Sequence, residues 1–377
     1  MKKNIILFLA SLIFFTLSYG HTNPYQKIKL AVFDNPQPDP SHAETSQELL
    51  NAYLSGINTA IAVAATKGVH IEEKEFFHIN SLPNIIQQAS NVKAWKPNVI
   101  MGLSSSNEFL MSKAFFGNQL ILSISATDAE ISSLSSDFYS LGIPDNDAVN
   151  TIINFINDHY QSANLFVTVA AESKESVDFA DLLSKKYKNL HPSKRVVESR
   201  FLTDDLDHLN LPKYMKEYKK GDVIVVMSMG YNSAIDLMNK IANYLRPIKP
   251  IFVTSTDNWG NDSTPQKISG IYDAFRIDTL SGGKDTNEHK IFVENFKKIY
   301  HKIPTDQISF VTYQTVMSFV AALKKYPPPP KLTISKSILC SYQKALKQNS
   351  NWFRPPQYIV YKIEPQKEVY FDTLTRS

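Results

Sequence analysis

The chain has little of what catalytic and metal-binding proteins commonly use: it holds one cysteine and 12 glycines among 377 residues. The single thiol, Cys340, cannot form an intramolecular disulfide, and it excludes a four-cysteine zinc site and a cysteine-ligated iron–sulfur cluster. The nine histidines are scattered singly, with no pair at metal-ligand spacing. No nucleophile elbow, zinc-protease, P-loop or dinucleotide-binding motif occurs. We therefore predict a protein that is not an enzyme and that uses neither a metal nor a cofactor.

The chain also lacks a large net charge of either sign. The 40 Lys+Arg residues against 36 Asp+Glu leave a formal charge of +4, which gives no support for a nucleic-acid partner, since such binders show a basic stripe. Hydrophobic residues make up 43% of the chain and charged residues 20%, as in ordinary globular proteins. Because a single core rarely grows past about 250–300 residues, the length favours two domains.

The first twenty residues have the layout of a secretory signal peptide. Met1–Lys3 is basic, Ile5–Leu17 is almost wholly apolar, and Ser18 and Gly20 place small residues before a cleavage site after Gly20. The alternative is an uncleaved anchor helix, but the apolar stretch is shorter than the roughly 20 residues that a membrane span needs. No cysteine follows it for lipidation, and no later segment is long and apolar enough to span. We expect an exported, soluble, periplasmic protein without a lipid anchor.

Short apolar runs alternate with helical patterns from Lys27 onward. Ile28–Phe33 predicts a strand, and apolar residues at i, i+3 and i+4 from Leu49 to Ala64 predict a long helix. Continuous apolar runs favour a parallel sheet covered on both faces, and strands alternating with helices indicate the α/β class. Further strands are expected at Asn98–Met101, Leu120–Ile124, Leu165–Val169, Val223–Met227, Ile251–Thr254 and Ser269–Phe275, with an antiparallel pair at Tyr358–Ile363 and Val369–Leu374.

Two sheets fit this length, and breaks in the pattern suggest where the chain passes between them. The breaks lie near Asp145–Asp147, near Asp273–Asp278 and at the proline run Tyr326–Pro330, where a preceding helix must end. After the leader 1–20, the expected lobes are 27–146 plus 276–328 and 147–275 plus 331–377. Repeated crossing between two lobes would create a hinge of several segments.

Polar residues follow two neighbouring strands of the predicted first lobe. Leu103-Ser104-Ser105-Ser106 follows the strand at Val99–Met101, and Ser125-Ala126-Thr127 follows the strand at Leu120–Ile124. In open α/β sheets the carboxyl ends of the strands are the ligand-binding edge. Hydroxyls and free backbone N–H groups at helix starts there suit a carboxylate or phosphate. The alternative, that these residues are only helix caps, stays open.

Complementary groups follow two strands of the predicted second lobe. Tyr231 comes after Val223–Met227, and Asp257 and Trp259 come after Ile251–Thr254. A carboxylate with a phenol hydroxyl suits an ammonium group, and Trp259 would cover an apolar or cationic moiety. Asp257 as a turn residue and Tyr231 as a packing group remain alternatives.

Five segments, taken in their order and spacing, carry a likeness to a known family. They are Pro97–Ser106, Leu122–Glu130, Met229–Tyr231, Ser255–Gly260 and Phe310–Thr315. With the leader, this set resembles the type I periplasmic binding proteins, specifically the branched-chain amino-acid (leucine/isoleucine/valine) binding family of ABC-transporter substrate-binding proteins. The resemblance covers most of the mature chain, from about Lys27 to Leu374.

The resemblance implies two Rossmann-like lobes, joined by a three-segment hinge, that close on an amino acid or a similar small metabolite. Ser105 or Ser106, with Ala126 and Thr127, would hold the ligand carboxylate, and Tyr231 and Asp257 would receive its ammonium group. It implies a monomer that delivers its ligand to an ABC permease in the inner membrane.

Two departures from the family pattern leave the ligand's identity open. Phe76–Asn80 stands where relatives often have an acidic pair, and the loop 34–40 is rich in proline and close to the expected cleft. Because the family also includes receptors that do not feed a transporter, the alternative function is a ligand-sensing or protein-interaction receptor of the same fold.

Overall fold

The computed structural model describes residues 28–34, 43–77, 81–102, 115–116, 119–124, 138–140, 144–226, 231–255, 269–279, 287–304, 308–325, 344, 357–365 and 367–375. The strands are β1 (Ile28–Asp34), β2 (Ile71–Phe77), β3 (Val99–Gly102), β4 (Leu120–Ser123), β5 (Phe138–Ser140), β6 (Leu165–Ala170), β7 (Val196–Phe201), β8 (Val223–Val226), β9 (Ile251–Ser255), β10 (Asp273–Thr279), β11 (Gln357–Glu364) and β12 (Lys367–Thr375). The α-helices are α1 (Ala43–Thr66), α2 (Leu82–Trp95), α3 (Asp145–Tyr160), α4 (Lys174–Leu190), α5 (Leu211–Tyr214), α6 (Tyr231–Tyr244), α7 (Asn287–Tyr300) and α8 (Ile308–Lys325), and a 3-10 helix spans Thr203–His208.

The first sheet is parallel throughout and has the strand order β2-β1-β3-β4-β5. Its central strand β1 is apolar almost without interruption, and all of its residues are buried except the half-buried Lys29. A strand buried on both faces has no polar face to show, which explains the continuous run.

Within the described residues, the second sheet has seven strands in the order β12-β11-β10-β9-β8-β6-β7. Strands β7, β6, β8, β9 and β10 are parallel, whereas β11 pairs antiparallel with β10, and β12 pairs antiparallel with β11. The predicted terminal antiparallel pair is therefore confirmed, and it forms one edge of this sheet.

Helices cover both faces of each sheet. Buried side chains of α1, α7 and α8 share one core with the first sheet, and those of α2 form a second core on its other face. In the second sheet, α3 and α4 cover one face, while α5, α6 and the 3-10 helix cover the other. The predicted α/β class with two lobes is confirmed. None of the helices in the described ranges is long and apolar enough to cross a membrane.

The chain changes from one core to the other at three places in the described part. It passes from β5 to α3, back from β10 to α7, and again from α8 to β11. Helix α8 ends at Lys325, directly before the Tyr326–Pro330 run. Because proline lacks the N–H that a helix interior needs, this end follows from the sequence.

The strand β10 lies further along the chain than predicted, and this changes one of the expected boundaries between the lobes. β10 was expected at Ser269–Phe275 but runs from Asp273 to Thr279, and it pairs in the second sheet with β9 and β11. The expected lobe boundary at 275/276 therefore falls inside a strand, and residues 276–279 belong with the second sheet. The other boundaries stay predictions. The leader 1–20, the loop 35–40 and the Cys340 segment lie outside the described residues.

Candidate functional site

Each sheet has a point at which the strand order reverses. In the first sheet β2 lies on one side of β1 and β3 on the other, and in the second sheet β7 and β8 flank β6 in the same way. In open α/β sheets, ligands bind in the crevice outside the carboxyl ends of the strands at such a switch point. The candidate site is therefore formed by the carboxyl ends of β1, β3 and β4 in the first sheet and of β6, β8 and β9 in the second.

The switch point of the first sheet is closely packed. Phe33 of β1 pairs in register with Gly102, the last residue of β3. Gly102 has a φ of +130°, and a Cβ at this position would overlap the Phe33 carbonyl oxygen. Asp34, at the end of β1, is only 7% exposed, and Ser123, at the end of β4, is fully buried. The segments predicted to bind an anion thus follow strand ends that are closely packed and buried.

The residues predicted to bind an anion follow two strands that the structure places side by side. β3 and β4 are parallel neighbours, with Val99 opposite Leu120. Within the sequence, Ser105 and Ser106 follow the end of β3, and Ser125, Ala126 and Thr127 follow the end of β4. These five residues lie outside the described ranges. The adjacency of their strands is confirmed, and the convergence of the residues themselves stays a prediction.

The second lobe repeats this arrangement. β8 and β9 are parallel neighbours, with Val223 opposite Ile251. Tyr231 is the first residue of α6, which follows β8, but its side chain is not among those described. Asp257 and Trp259 follow β9 and lie outside the described ranges.

Buried hydroxyls tie these strands together near their carboxyl ends. The Thr168 hydroxyl of β6 donates to the Val225 carbonyl at 3.3 Å, and the Thr254 hydroxyl of β9 donates to the Val226 carbonyl at 3.2 Å. Both threonines are fully buried, so each hydroxyl needs a partner inside the protein. These bonds hold β6, β8 and β9 in a fixed relation at the edge that carries Tyr231 and Asp257 in the sequence.

A carboxylate that the sequence did not single out lies at the same edge. Glu172 follows the end of β6 and is exposed, and its Oε1 accepts hydrogen bonds from the Thr203 N–H at 2.9 Å and from the Thr203 hydroxyl. Burial alone would raise the pKa of the Glu172 carboxyl, but these hydrogen bonds outweigh it, so the pKa lies below its ordinary value. Glu172 is therefore ionised at neutral pH.

The turn that carries Glu172 is fixed by two serines. The Ser173 side chain caps α4 by accepting from the Ser176 N–H at 3.2 Å. The Ser176 hydroxyl, which is fully buried, accepts from the Ala170 N–H at 3.0 Å. The Ser173-x-x-Ser176 spacing was the one local signal for this helix start, and it does not reveal the contact with Thr203.

The arrangement suits the binding of a charged small molecule. Its described parts are the strand ends, the buried Asp34 at the end of β1 and the exposed Glu172 carboxylate after β6. Within the described ranges, no group of three or more His, Cys, Asp or Glu side chains has the geometry to hold a metal ion.

Comparison with solved structures finds the same architecture in amino-acid receptors of transporters. The branched-chain amino acid transporter substrate-binding protein LivJ from Streptococcus pneumoniae, in complex with isoleucine, superposes with a TM-score of 0.69 at 16% identity, covering 93% of this chain and 99% of that one. The leucine-binding protein LivK from Thermotoga maritima gives a TM-score of 0.70 at 15% identity, covering 92% and 99%. The chain has the two-lobe fold of the type I periplasmic binding proteins.

A third structure with this periplasmic-binding-protein fold is the leucine-, isoleucine-, valine-, threonine- and alanine-binding protein from Brucella ovis in its closed conformation. It gives a TM-score of 0.72 at 13% identity and covers 93% of this chain and 95% of that one. No protein-family model matches the chain, and no curated protein sequence matches it either. At these identities the likeness is one of fold, so the ligand must be argued from the residues of this chain.

Proposed function

We propose that this chain is an exported solute-binding protein that captures an amino acid, or a similar small carboxylate-bearing metabolite, between its two lobes. In this proposal the leader is cut after Gly20, and the mature protein is a periplasmic monomer that delivers its ligand to an ABC permease. The observation that supports it most is the pairing of strand ends: in each sheet, two adjacent parallel strands lead into the polar segments that the sequence singles out.

In the proposed site the two lobes hold opposite ends of the ligand. Ser105, Ser106 and the segment Ser125–Thr127 would donate N–H and O–H groups to the carboxylate, because helix starts at the carboxyl edge favour anions. Tyr231 and Asp257 would accept from the ammonium group, and Trp259 would cover the ligand. A zwitterion would then bridge a donor-rich lobe and an acceptor-rich lobe.

This division explains why binding would close the lobes. A ligand that touches only one lobe gains half of the available contacts, whereas the closed state provides both sets. Since a ligand shifts a conformational equilibrium only by its differential affinity for the two states, the second set of contacts supplies the free energy for hinge closure.

Isothermal titration calorimetry of the mature protein against the proteinogenic L-amino acids tests the proposal. We expect at least one amino acid to bind, and Thr127→Ala and Asp257→Ala to weaken it by about tenfold or more, because each removes a hydrogen bond to a charged group. Thr66→Ala and Asp178→Ala make the same changes on the exposed surfaces of α1 and α4, so they serve as controls that leave the affinity unchanged. Binding of no amino acid, or equal affinities for all four variants, contradicts the proposal.

A further inference from the structure

Glu172 differs from the other candidate site residues because its side chain and its contact with Thr203 both belong to the described residues. It follows β6, the strand at the switch point of the second sheet, and Thr203, which holds it, follows the neighbouring β7. The connections 171–173 and 202 both belong to the described residues. The carboxylate is thus placed at the edge where a ligand enters this fold.

The carboxylate is held in one orientation before any ligand arrives. Two donors of Thr203 converge on Oε1, and Ser173 and Ser176 fix the backbone on either side. A polar group that is already oriented costs less entropy to use in binding than a mobile one. The same contact satisfies the Thr203 N–H at the start of the 3-10 helix, so the orientation of the carboxylate is built into the fold.

Within the described part of the chain, the Glu172 carboxylate forms no ion pair. Lys174 forms an ion pair with Asp178 of its own helix, and Lys240 pairs with Asp207 at 2.6 Å. No described lysine or arginine side chain reaches Glu172. When the lobes close, the edge loses water, and an ionised carboxylate that becomes buried is costly unless a cation accompanies it.

We propose that Glu172 is a specificity-determining residue that receives a second cationic group of the ligand, so that the ligand class is the basic amino acids. The inference rests on the proposed function, in which Asp257 and Tyr231 receive the α-ammonium group. Glu172 then pairs with the side-chain ammonium or guanidinium. Neutral branched-chain amino acids would leave this carboxylate buried without a counter-charge.

Calorimetry with two matched pairs of ligands tests the inference. L-Lysine and L-norleucine differ by the side-chain ammonium, and L-arginine and L-citrulline differ by the guanidinium charge. The wild type should bind the charged member of a pair more tightly. Glu172→Gln, which keeps an acceptor for Thr203, should weaken binding of the charged member by about 10- to 100-fold and leave the neutral member unchanged.

Two further variants separate a role in recognition from a role in holding the turn. Thr203→Val removes one of the two donors to Glu172, so it should weaken binding of the charged ligand less than Glu172→Gln does. Glu217→Gln makes the same change of charge at an exposed position that follows α5 and should alter nothing.

The outcomes are distinct. Equal affinity of the wild type for lysine and norleucine, or an equal loss for both in Glu172→Gln, overturns this inference while leaving the proposed function in place. Binding of no amino acid by the wild type overturns both.

Discussion

Gly102 and Phe33 lie so close at the switch point of the first sheet that a Cβ on residue 102 would overlap the Phe33 carbonyl oxygen and stand 2.8 Å from its carbonyl carbon. Gly102 also has a φ of +130°, a backbone conformation that residues other than glycine rarely adopt. The close approach lets β1 and β3 stay paired as far as their carboxyl ends. The candidate anion-binding segment after β3 therefore begins from a position that only glycine can occupy.

Gly102→Ala should destabilise the protein by more than about 3 kcal/mol, because the new methyl group must displace backbone at a strained φ. Urea unfolding followed by circular dichroism measures the change. Gly68→Ala is the control: its φ of +76° is also left-handed, but a Cβ there meets nothing within 4 Å. It should cost about 1–2 kcal/mol. Equal losses for the two variants would show that the contact with Phe33 does not matter.

Glu73 on the edge strand β2 should make stability depend on pH. Burial, and secondly the negative charge of Glu75, raise the pKa of Glu73 to about 7 from an ordinary value of 4.5. The folded protein therefore holds this proton more firmly than the unfolded chain. The contribution to stability is full below about pH 4.5 and is lost as the pH rises through about 7.

Glu73→Gln should raise the free energy of unfolding at pH 8 by about 1–3 kcal/mol and flatten its dependence on pH between 4.5 and 8. Urea unfolding at several pH values measures both effects. Glu75→Gln is the matched variant: since burial is the larger cause, it should flatten the profile only in part. A Glu73→Gln profile that parallels the wild type refutes this role of Glu73.

Asp222 should be among the more important acidic residues for stability. Its side chain is 1% exposed, and it forms an ion pair with Arg195 and accepts from the Lys219 N–H at 2.8 Å. Asp222→Ala removes the acceptor of the Lys219 N–H and of the Arg195 guanidinium, which keeps its bond to the Glu217 carbonyl, and should cost about 1–3 kcal/mol. Asp178→Ala breaks the exposed pair with Lys174 and should cost less than about 1 kcal/mol. Thermal unfolding of both variants checks the contrast, and similar melting temperatures would contradict it.

Most of the strands that the sequence predicted correctly lie inside a sheet, with a neighbour on each side, and the edge strand β12 is the exception. β8 and β9 are continuous apolar runs in the middle of a sheet. β2 and β7 were not predicted, because each lies at a sheet edge and carries charged residues, such as Glu73 and Arg200. An edge strand has one side open to water, so its apolar pattern is weaker.

β10 shows a different limit of sequence reasoning. Arg276 lies in the middle of this strand and is only 1% exposed, and its guanidinium lies 5.2 Å from the centre of the Tyr361 ring. The expected strand, Ser269–Phe275, ended directly before this residue. The aromatic partner that helps to accommodate the charge is 85 residues away in the sequence, and only the folded sheet brings the two together.

The candidate site likewise has features that could be predicted from the sequence and one residue that could not. That the polar segments follow adjacent strands could be predicted, because short apolar runs reveal the strands and parallel sheets align their carboxyl ends. Glu172 could not be predicted, because what distinguishes it is its contact with Thr203, 31 residues away. Local patterns identify helix caps and strand ends, but they do not show which distant donor holds a side chain.

Native mass spectrometry of the protein purified without denaturation tests most directly whether the two lobes enclose an amino acid. We predict an added mass equal to that of an amino acid, which disappears after unfolding and refolding and returns when that amino acid is supplied. A protein that carries no small molecule, and that takes up none from a mixture of the proteinogenic amino acids, would contradict the account.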